Sequence, residues 1–391
     1  MRILFVHSCA DLYGASRSLL RLGSRLYSEG HQVRVVLPHA GPLVEELEKV
    51  GVGVEIHLNL PVVTREGFKR RGGVFGLAWQ LLGSLKRLAG VMCSFNPDLV
   101  HSNTALILSS GIIARVFGVP HIWHVREFFD EFPKLWRWYQ WYMHWFADQI
   151  VCVSSSVASQ FHRDVRNKKV IVIHNGFPRE EFGSVGSDRI AAFKQSYGVN
   201  GYVLVGVVGR IKFGRKGQDV FVKAAALLKD RFPEARFLLI GSPFPGNEEH
   251  LKNLRVLISE LGIVQSVVFT GDVEDIKAAY AALDISVLPS ARPEPFGGVV
   301  IESMAFGKPV IGTRIGGTIE QIDDARTGLL IEPNDPQALA DAIEKLLKDP
   351  QGRMAMGKLG YERFMSHFEF EEFFGKIMQL YTQQAHLGGV R

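Results

Sequence analysis

Residues 289–330 read PSARPEPFGGVVIESMAFGKPVIGTRIGGTIEQIDDARTGLL and carry the strongest structural signal in the chain. An apolar strand is predicted over residues 285–288, and a loop then leads into EPFGG at Glu294. A helix is predicted to start near Val299 with Glu302 in its first turn, so that two acids flank a glycine-rich helix start. The free amides of that turn, with the positive end of the helix dipole, suit a phosphate or sugar oxygens.

The residues that follow extend the pattern. Gly297 and Gly298 have no side chain, so a ligand can approach the backbone there. Pro309 begins another predicted strand, and the pair Gly316-Gly317 makes a tight turn before a second helix. Alternation of strand, glycine loop and helix is typical of a doubly wound α/β fold.

Length and composition indicate a globular protein. The chain has 391 residues, of which 47% are hydrophobic and 22% charged, which predicts about two or three domains. Its three cysteines (Cys9, Cys93 and Cys152) are widely spaced, which favours a reducing, cytoplasmic location over a structural zinc site. The opening MRILFVHS is predicted to be a strand rather than a signal peptide, and no run of about 18 apolar residues predicts a membrane span.

Charge is divided unevenly along the chain. Residues 1–180 contain 21 Lys and Arg against 14 Asp and Glu, a net charge of +7. The remainder contains 24 basic and 26 acidic residues, a net charge of −2. This asymmetry suggests that only the first half meets an anionic surface or acceptor.

The first half repeats the α/β pattern. Strands are predicted over residues 3–6, 33–37, 54–58, 98–102, 121–125, 150–154 and 170–173. The loop after the first strand opens an amphipathic helix, so Gly14 and Ala15 sit where a helix N-terminus can face a phosphate; a purely structural turn is the alternative. Gly183, Gly186 and the polar residues around them predict a hinge.

The second half starts with a strand over residues 202–208, followed at once by GRIKFGRKGQD. Arg210 and Lys216 each stand beside a glycine, at a spacing that lets both point into one cleft. Arg215 is an alternative to Lys216, and a plain basic loop is the alternative to a phosphate site. Further strands are predicted over residues 237–241 and 267–271, and helices over residues 336–348 and 370–383.

The stretch EPFGGVVIESMA looks like the E-x7-E motif of the retaining glycosyltransferases of family 4, which have the GT-B fold. An ordinary loop before a capped helix is the alternative. GKPVIGTRIGG downstream resembles the same family, as does the Gly-Arg…Lys-Gly pattern that contains Arg210 and Lys216. The DLYGAS loop resembles the family's N-terminal Gly-Gly-Ala loop, with Tyr13 in place of the first glycine. The resemblance is strongest over residues 202–348.

The resemblance implies an α/β fold of the GT-B type: two doubly wound Rossmann-like domains facing across a cleft. Residues 1–178 would form the acceptor-binding domain, and residues 179–369 the domain that binds a nucleotide sugar. The C-terminal helix, within residues 370–391, would pack back on the first domain. The implied activity is a metal-independent, retaining hexosyl transfer in polysaccharide or glycolipid synthesis, with no cofactor.

The resemblance also implies the site residues. Glu294 would bind the donor sugar, while Arg210 and Lys216 would neutralise the departing diphosphate. The remaining candidates are Glu302 for the ribose hydroxyls, the amides of Phe296, Gly297, Gly298 and Val299 for sugar hydroxyls and a phosphate, Val273 for the base, Gly14 and Ala15 for the donor, and His124 for the transferred sugar.

Other readings of these residues stay open. A lone histidine at a strand end, such as His124, is often a structural residue, and Arg126 and Glu127 are weaker candidates beside it. No Asp-x-Asp triplet occurs to carry a metal–diphosphate complex, so no metal site is predicted. A sugar-nucleotide epimerase of the same fold and a non-catalytic binding protein are the two alternatives to a transferase.

Two segments of the first half suggest the acceptor. KLWRWYQWYMHWF, residues 134–146, has more aromatic residues than one helix face can bury, although a core helix with aromatic flanks is the alternative. Residues 65–71, REGFKRR, form a basic loop that is otherwise a solvated surface. Together they predict a lipid-linked saccharide acceptor and peripheral contact with an anionic membrane at its inner face. Nucleic acid is not predicted as a partner.

Overall fold

The computed structural model describes residues 1–58, 60–63, 73–130 and 132–388. These fall into two compact units. The first comprises Met1–Gly176 together with Phe373–Arg391, and the second comprises Phe177–Glu372. Assignment of the acceptor to one unit and the donor to the other stays a prediction.

The first unit is built on a seven-stranded sheet. Its strands are β1 (Arg2–Val6), β2 (Gln32–Leu37), β3 (Gly53–Ile56), β4 (Leu99–Ser102), β5 (His121–Val125), β6 (Gln149–Cys152) and β7 (Val170–Val172). The order is β3-β2-β1-β4-β5-β6-β7, with every pairing parallel. The chain thus leaves β1 in one direction and, from β4 on, continues in the other, which is the doubly wound order.

Helices cover both faces of this sheet. They are Gly14–Ser28, Pro42–Lys49, Gly73–Phe95, Ser109–Phe117, Pro133–Phe146, Ser155–Ser159, Arg163–Lys169 and the C-terminal Phe370–Gly388. β1, β4 and β5 are almost wholly buried because helices flank them, and β4 and β5 carry buried histidines among their apolar residues.

The second unit has a six-stranded parallel sheet of the same design. Its strands are β8 (Val203–Val208), β9 (Ala235–Ile240), β10 (Val267–Gly271), β11 (Ile285–Leu288), β12 (Val310–Thr313) and β13 (Gly328–Ile331), in the order β10-β9-β8-β11-β12-β13. Its α-helices are Ser187–Ser196, Gln218–Leu228, Glu249–Glu260, Ile276–Ala282, Gly298–Ala305, Thr318–Gln321, Pro336–Lys348 and Pro350–Arg363. A 3-10 turn (Arg179–Phe182) and a π-helical turn (Phe364–Phe368) complete it. The predicted α/β class, with two doubly wound domains, is confirmed.

Among the boundaries that differ from the sequence-based predictions, two are instructive. The helix predicted to start near Val299 begins at Gly298, which puts Glu302 one residue beyond its first turn. The strand predicted to reach Leu58 ends at Ile56, and Leu58 is exposed. Without a buried face to pack on, apolar β-forming residues at a sheet edge do not extend the strand.

The aromatic segment forms the helix Pro133–Phe146, with a buried and an exposed face. Trp136 and Tyr139 lie in the core, whereas Trp138 and Trp145 are 77% and 71% exposed. The prediction that some of these rings would be exposed is therefore confirmed. The basic loop predicted at residues 65–71 lies outside the described residues. Within the part of the chain that the structure describes, no helix is long and apolar enough to cross a bilayer.

Candidate active site

The candidate site of the second unit lies where the strand order reverses, between β8 and β11. Loops after neighbouring parallel strands meet at this point, which makes it the usual ligand site of such sheets. Here they are in backbone contact: the Ala291 amide donates to the Arg215 carbonyl at 3.0 Å. Gly217 has φ +73°, and a Cβ at this position would lie 1.7 Å from the carbonyl oxygen of Pro289. Glycine is therefore required for this close approach.

Two predicted catalytic residues are brought together across these loops. The Lys216 ammonium donates to Oε1 of Glu294 at 2.7 Å. The lysine side chain is 36% exposed and the carboxylate 17%, so the pair stands at the surface of the unit rather than in its core. The hydroxyl of Ser290, the second residue after β11, also donates to this carboxylate oxygen. Glu294 thus has a fixed orientation.

Arg210 contacts different loops. Its guanidinium lies 3.6 Å from Oδ2 of Asp272, after β10, and 4.9 Å from the ring centre of Phe244, after β9. Lys216 instead meets the loop after β11. The two cations predicted to point into one cleft therefore have partners on opposite sides of β8.

The loop that carries Glu294 is held by the turn Gly316-Gly317. A Cβ on Gly316 would lie 2.4 Å from the Glu294 carbonyl oxygen, and one on Gly317 would lie 2.4 Å from that of Pro295. The Gly317 amide donates to the Glu294 carbonyl at 2.8 Å. These contacts are between backbones, so the loop keeps its shape independently of its side chains.

The helix Gly298–Ala305 starts directly after this loop. Its N-cap is Gly297, and no side chain of the described residues caps it. The carbonyl of Gly297 is held by the Gln321 amide group at 2.9 Å. An uncapped helix start leaves amide donors for a ligand, here those at Gly298 and Val299.

Glu302 lies on this helix and is held by an aromatic pair. The Tyr280 hydroxyl donates to its Oε2 at 2.5 Å. The Tyr280 ring stacks on Phe306, with ring centres 5.6 Å apart and an interplanar angle of 9°. Val273, predicted to line the base, packs half-buried in the same apolar cluster as Tyr280. Phe296 packs against Phe368 on the other side of the helix.

In the first unit, His124 lies inside β5 rather than at its end and is fully buried. Burial, together with the nearby Arg126 guanidinium and His101, holds the pKa of His124 well below its usual range. The ring is therefore neutral near pH 7. Its Nδ1 lies 3.3 Å from an Arg126 nitrogen, and its Nε2 has no hydrogen-bond partner among the residues that the structure describes.

Gly14 and Ala15 begin the helix Gly14–Ser28, whose N-cap is Tyr13. Nothing described lies within 4 Å of a Cβ built on Gly14, so the helix start is open there. The Ala15 carbonyl accepts from the Asn103 side chain at 3.0 Å, which joins this loop to the end of β4.

Arg126 is buried and bonded almost entirely to neutral groups. Its guanidinium donates to the Asn103 carbonyl at 3.2 Å, to the Asn103 side-chain oxygen at 3.3 Å, to Ser18 Oγ at 3.0 Å and to Asn175 Oδ1 at 2.5 Å. Burial lowers the pKa of Arg126 to about 10, so it remains a cation. The adjacent Glu127 is half-buried, and its desolvation raises its pKa to about 7.

Several residues that hydrogen-bond to the candidate site residues were not predicted from the sequence. Ser290 lies within residues 289–330, where a hydroxyl side chain just after a predicted strand is a local signal that could have identified it. Tyr280 and Gln321 hold Glu302 and Gly297 from other segments, and nothing local in the sequence marks them. Asn103 and His7 are likewise visible only once the strand ends meet.

Comparisons with known proteins agree with this architecture. Residues 13–181 match the family model "Glycosyltransferase Family 4", and residues 189–363 match "Glycosyl transferases group 1". A crystal structure of Anabaena HepE in complex with UDP superposes with a TM-score of 0.83 and 23% identity, over 98% of this chain and 100% of that one. The fold is thus that of the GT-B glycosyltransferases.

Two relatives are similar to this chain in sequence. A D-inositol 3-phosphate glycosyltransferase of Corynebacterium urealyticum is 37% identical over 46% of this chain and 42% of its own length. A GDP-mannose-dependent alpha-(1-6)-phosphatidylinositol monomannoside mannosyltransferase of Mycolicibacterium smegmatis is 28% identical over 49% of this chain and 51% of its own. The matches thus span about half the length of these relatives. Two glycosyltransferase family models thus match the chain, each over a separate part of it.

Proposed function

We propose that the protein transfers a hexosyl group from a nucleotide sugar to a saccharide acceptor, with retention of anomeric configuration and without a metal. The observation that carries this proposal is the pair Lys216–Glu294 at the junction of β8 and β11, beside an uncapped helix start. A cation, a carboxylate and free amides at one strand–loop junction are suited to bind, respectively, the diphosphate, the sugar and the oxygens of a phosphate or sugar in a nucleotide sugar.

The donor is proposed to bind along the two loops. Lys216 leaves Glu294 to meet the diphosphate, because a charge-assisted bond to phosphate replaces the existing ion pair. The amides at Gly298 and Val299 receive a phosphate or sugar oxygens. Glu302, held by Tyr280, accepts from the ribose hydroxyls, and Arg210 adds a second positive charge to stabilise the departing diphosphate.

Glu294 is proposed to act on the donor sugar once Lys216 has turned to the diphosphate. Its carboxylate then retains the bond from Ser290, which keeps it oriented toward the sugar. Cationic side chains supply the charge that a metal would otherwise bring to the leaving group. For this reason the transfer is proposed to be metal-independent.

The acceptor is proposed to be a lipid-linked saccharide, bound by the first unit. The names of the two relatives, which include an inositol phosphate and a phosphatidylinositol mannoside as acceptors, support a phosphorylated or lipid-bearing acceptor. The net charge of +7 over residues 1–180 suits such an anion.

Exposed aromatic residues of the first unit support peripheral membrane contact. Trp79 on the helix Gly73–Phe95 is 79% exposed, and Trp138 and Trp145 are exposed on Pro133–Phe146. Both helices pack against Ser109–Phe117 and so belong to one layer. Tryptophan settles at the lipid–water interface, where basic residues add attraction to anionic lipids.

The transfer is tested by incubating the protein with UDP- and GDP-sugars, with and without a lipid-linked saccharide extract, and measuring released nucleoside diphosphate and product configuration. A metal-independent transferase releases nucleoside diphosphate in proportion to the acceptor and remains active in the presence of a chelator. Conversion of the nucleotide sugar without acceptor would indicate an epimerase, and binding without turnover a binding protein. Loss of turnover with chelator, restored by Mg²⁺ or Mn²⁺, would contradict the metal-independent step.

The membrane contact is tested by sedimentation with vesicles of anionic or neutral phospholipid. Binding to anionic vesicles is expected to weaken as salt rises, because salt screens the charges. Trp138→Ser with Trp145→Ser should weaken it further, whereas Leu227→Ser, an exposed apolar residue of the second unit, should not. Equal binding of the wild type to neutral and anionic vesicles, or none, would contradict the proposal.

A further inference from the structure

The buried network around Arg126 has directions that the hydrogen-bond chemistry fixes. An arginine side chain has donors and no acceptor, so Nδ1 of His124, 3.3 Å from the Arg126 guanidinium, has to be the acceptor. In a neutral imidazole the proton then resides on Nε2. That nitrogen is buried and has no partner within the described part of the chain.

A second branch runs from Arg126 to the start of the helix Gly14–Ser28. Because Arg126 donates to Oδ1 of Asn103, the amide nitrogen of Asn103 faces the other way, toward the Ala15 carbonyl and Nδ1 of His7. His7 Nδ1 is therefore an acceptor as well, and its Nε2–H donates to Ser16 Oγ at 3.0 Å.

This branch ends in the loop after β1. The Ser16 hydroxyl donates to Asp11 Oδ1 at 2.7 Å, and the same oxygen accepts from the Tyr13 amide at 3.0 Å. Every donor in the branch has a matching acceptor, so reversing one bond would leave a donor facing a donor. The loop that presents Gly14 and Ala15 is therefore tied to the guanidinium of Arg126.

We propose that Arg126 is a positioning residue of the first unit, which holds His124 as the Nε2–H tautomer and orders the loop carrying Gly14 and Ala15. His124 then presents a hydrogen-bond donor, not a general base, to whatever oxygen reaches its Nε2. The tautomer of His124 and the ordering of the loop do not depend on any ligand. That they contribute to catalysis rests on the proposed function.

The first test uses the wild-type protein with ¹⁵N-labelled histidine. Long-range ¹H–¹⁵N correlation spectra distinguish the two neutral tautomers and the imidazolium, and the signal missing from His124→Gln assigns the ring. We expect the Nε2–H pattern at pH 7. An Nδ1–H pattern or an imidazolium at His124 would overturn the proposal without any further variant.

The second test compares Arg126→Met and Arg126→Lys with Arg34→Met as the matched control. Arg34 lies in the same unit but contacts Glu55 and the Phe95 ring instead. Both Arg126 variants should mix the tautomers of His124 and speed hydrogen exchange of the peptide covering residues 8–17. Arg34→Met should do neither. If the His124 spectrum and the exchange are unchanged in a folded Arg126 variant, the proposal is wrong.

Where transferase activity is found, Arg126→Lys should lower kcat about 10²-fold, the scale of a misplaced reacting group, with little change in KM for the nucleotide sugar. A rise in KM alone would assign Arg126 to ground-state donor binding and overturn its positioning role. Failure of the protein to transfer sugar at all would leave the spectroscopic outcome standing, so the two hypotheses fail separately.

Discussion

Lys216 in the second unit and Arg126 in the first are both cations in segments that follow strands, yet their charges are balanced in different ways. Lys216 is partly exposed and meets one carboxylate, Glu294. Arg126 is buried, and the side chains that accept from it are neutral: Ser18, Asn103, Asn175 and His124. Replacing one anion by another would cost little in the first arrangement, because both side chains are partly exposed to water.

The second arrangement resists change. A buried charge is tolerated only when its hydrogen bonds are made, and removing one acceptor leaves the others misaligned. One chain therefore contains two kinds of polar site. In the second unit the charges are poised to change partners, and in the first they hold neutral side chains in one orientation.

The largest effect is expected at Glu294, the exchangeable anion. Glu294→Ala and Glu294→Gln should each lower turnover by about 10²–10³-fold, the usual cost of one transition-state partner. The fold and the affinity for nucleoside diphosphate should be nearly unchanged, as calorimetry can check. Glu332→Ala, which removes an exposed carboxylate near Arg314, is the control. Near-normal turnover in a folded Glu294 variant would remove this residue from the mechanism.

The next effect concerns the backbone contact that builds the same site. Gly214 and Gly217 share one loop and have φ of +70° and +73°, but only at Gly217 does a Cβ meet other described atoms within 4 Å. Gly214→Ala should cost about 1 kcal/mol of stability through its left-handed backbone. Gly217→Ala should cost about 1–3 kcal/mol more, as overpacking does. Chemical denaturation measures both, and equal costs would contradict the close approach.

A pH-dependent effect on stability is expected in the first unit. Burial lowers the pKa of His121 to about 4 and that of His7 to about 3, both from 6.5. Between the folded and unfolded pKa values the unfolded chain binds more protons, so stability rises with pH. The contribution of each histidine to the free energy of unfolding should therefore fall by about 1.4 kcal/mol per pH unit as the pH falls below about 6.5.

The chain offers a selective probe for this prediction. All six tryptophans precede residue 146, so tryptophan fluorescence reports unfolding of the first unit. The histidines of the second unit, His250 and His367, are not buried. Urea unfolding at pH 5 and pH 7 checks this, and His121→Gln should reduce the difference. An equal loss in both units would show that the slope has another source.

The smallest effect is expected at Glu302. Because Tyr280 already donates to one of its oxygens, the other is left for a ribose hydroxyl, and Glu302→Ala should weaken nucleotide binding about tenfold, the worth of one bond to a charged acceptor. Tyr280→Phe should weaken it less. Glu260→Ala, on an exposed helix end, is the control for calorimetry. Unchanged affinity in Glu302→Ala would exclude the ribose role.

Much of the fold could be predicted from the sequence because doubly wound domains use continuous apolar strands and glycine turns, both of which are local signals. His121–Val125, Val267–Gly271 and Ile285–Leu288 have the predicted bounds. Strand ends were less certain because burial, rather than propensity, decides where pairing stops, as at Leu58.

The second unit's site was more readable than the first unit's for a related reason. Lys216 and Glu294 stand in two short glycine-rich segments whose spacing is visible, although their direct pairing is not. The network of Arg126 draws on residues from positions 11 to 175, and no single window contains its pattern. Arg126 therefore ranked below His124, whose orientation it fixes.

The helix Phe370–Gly388 has a consequence for how the protein is made. Its Tyr381 lies 2.5 Å from Nδ1 of His101 in β4, and its Phe374 lies beneath Arg25, so the last helix supplies core contacts to the first unit. During synthesis, residues 1–176 leave the ribosome long before this helix does. The first domain then waits for the whole of the second before its core is complete, and a fragment cut at residue 176 would expose the surface that Tyr381 covers. Expression of the first domain alone therefore calls for a fusion of residues 1–176 to residues 373–388.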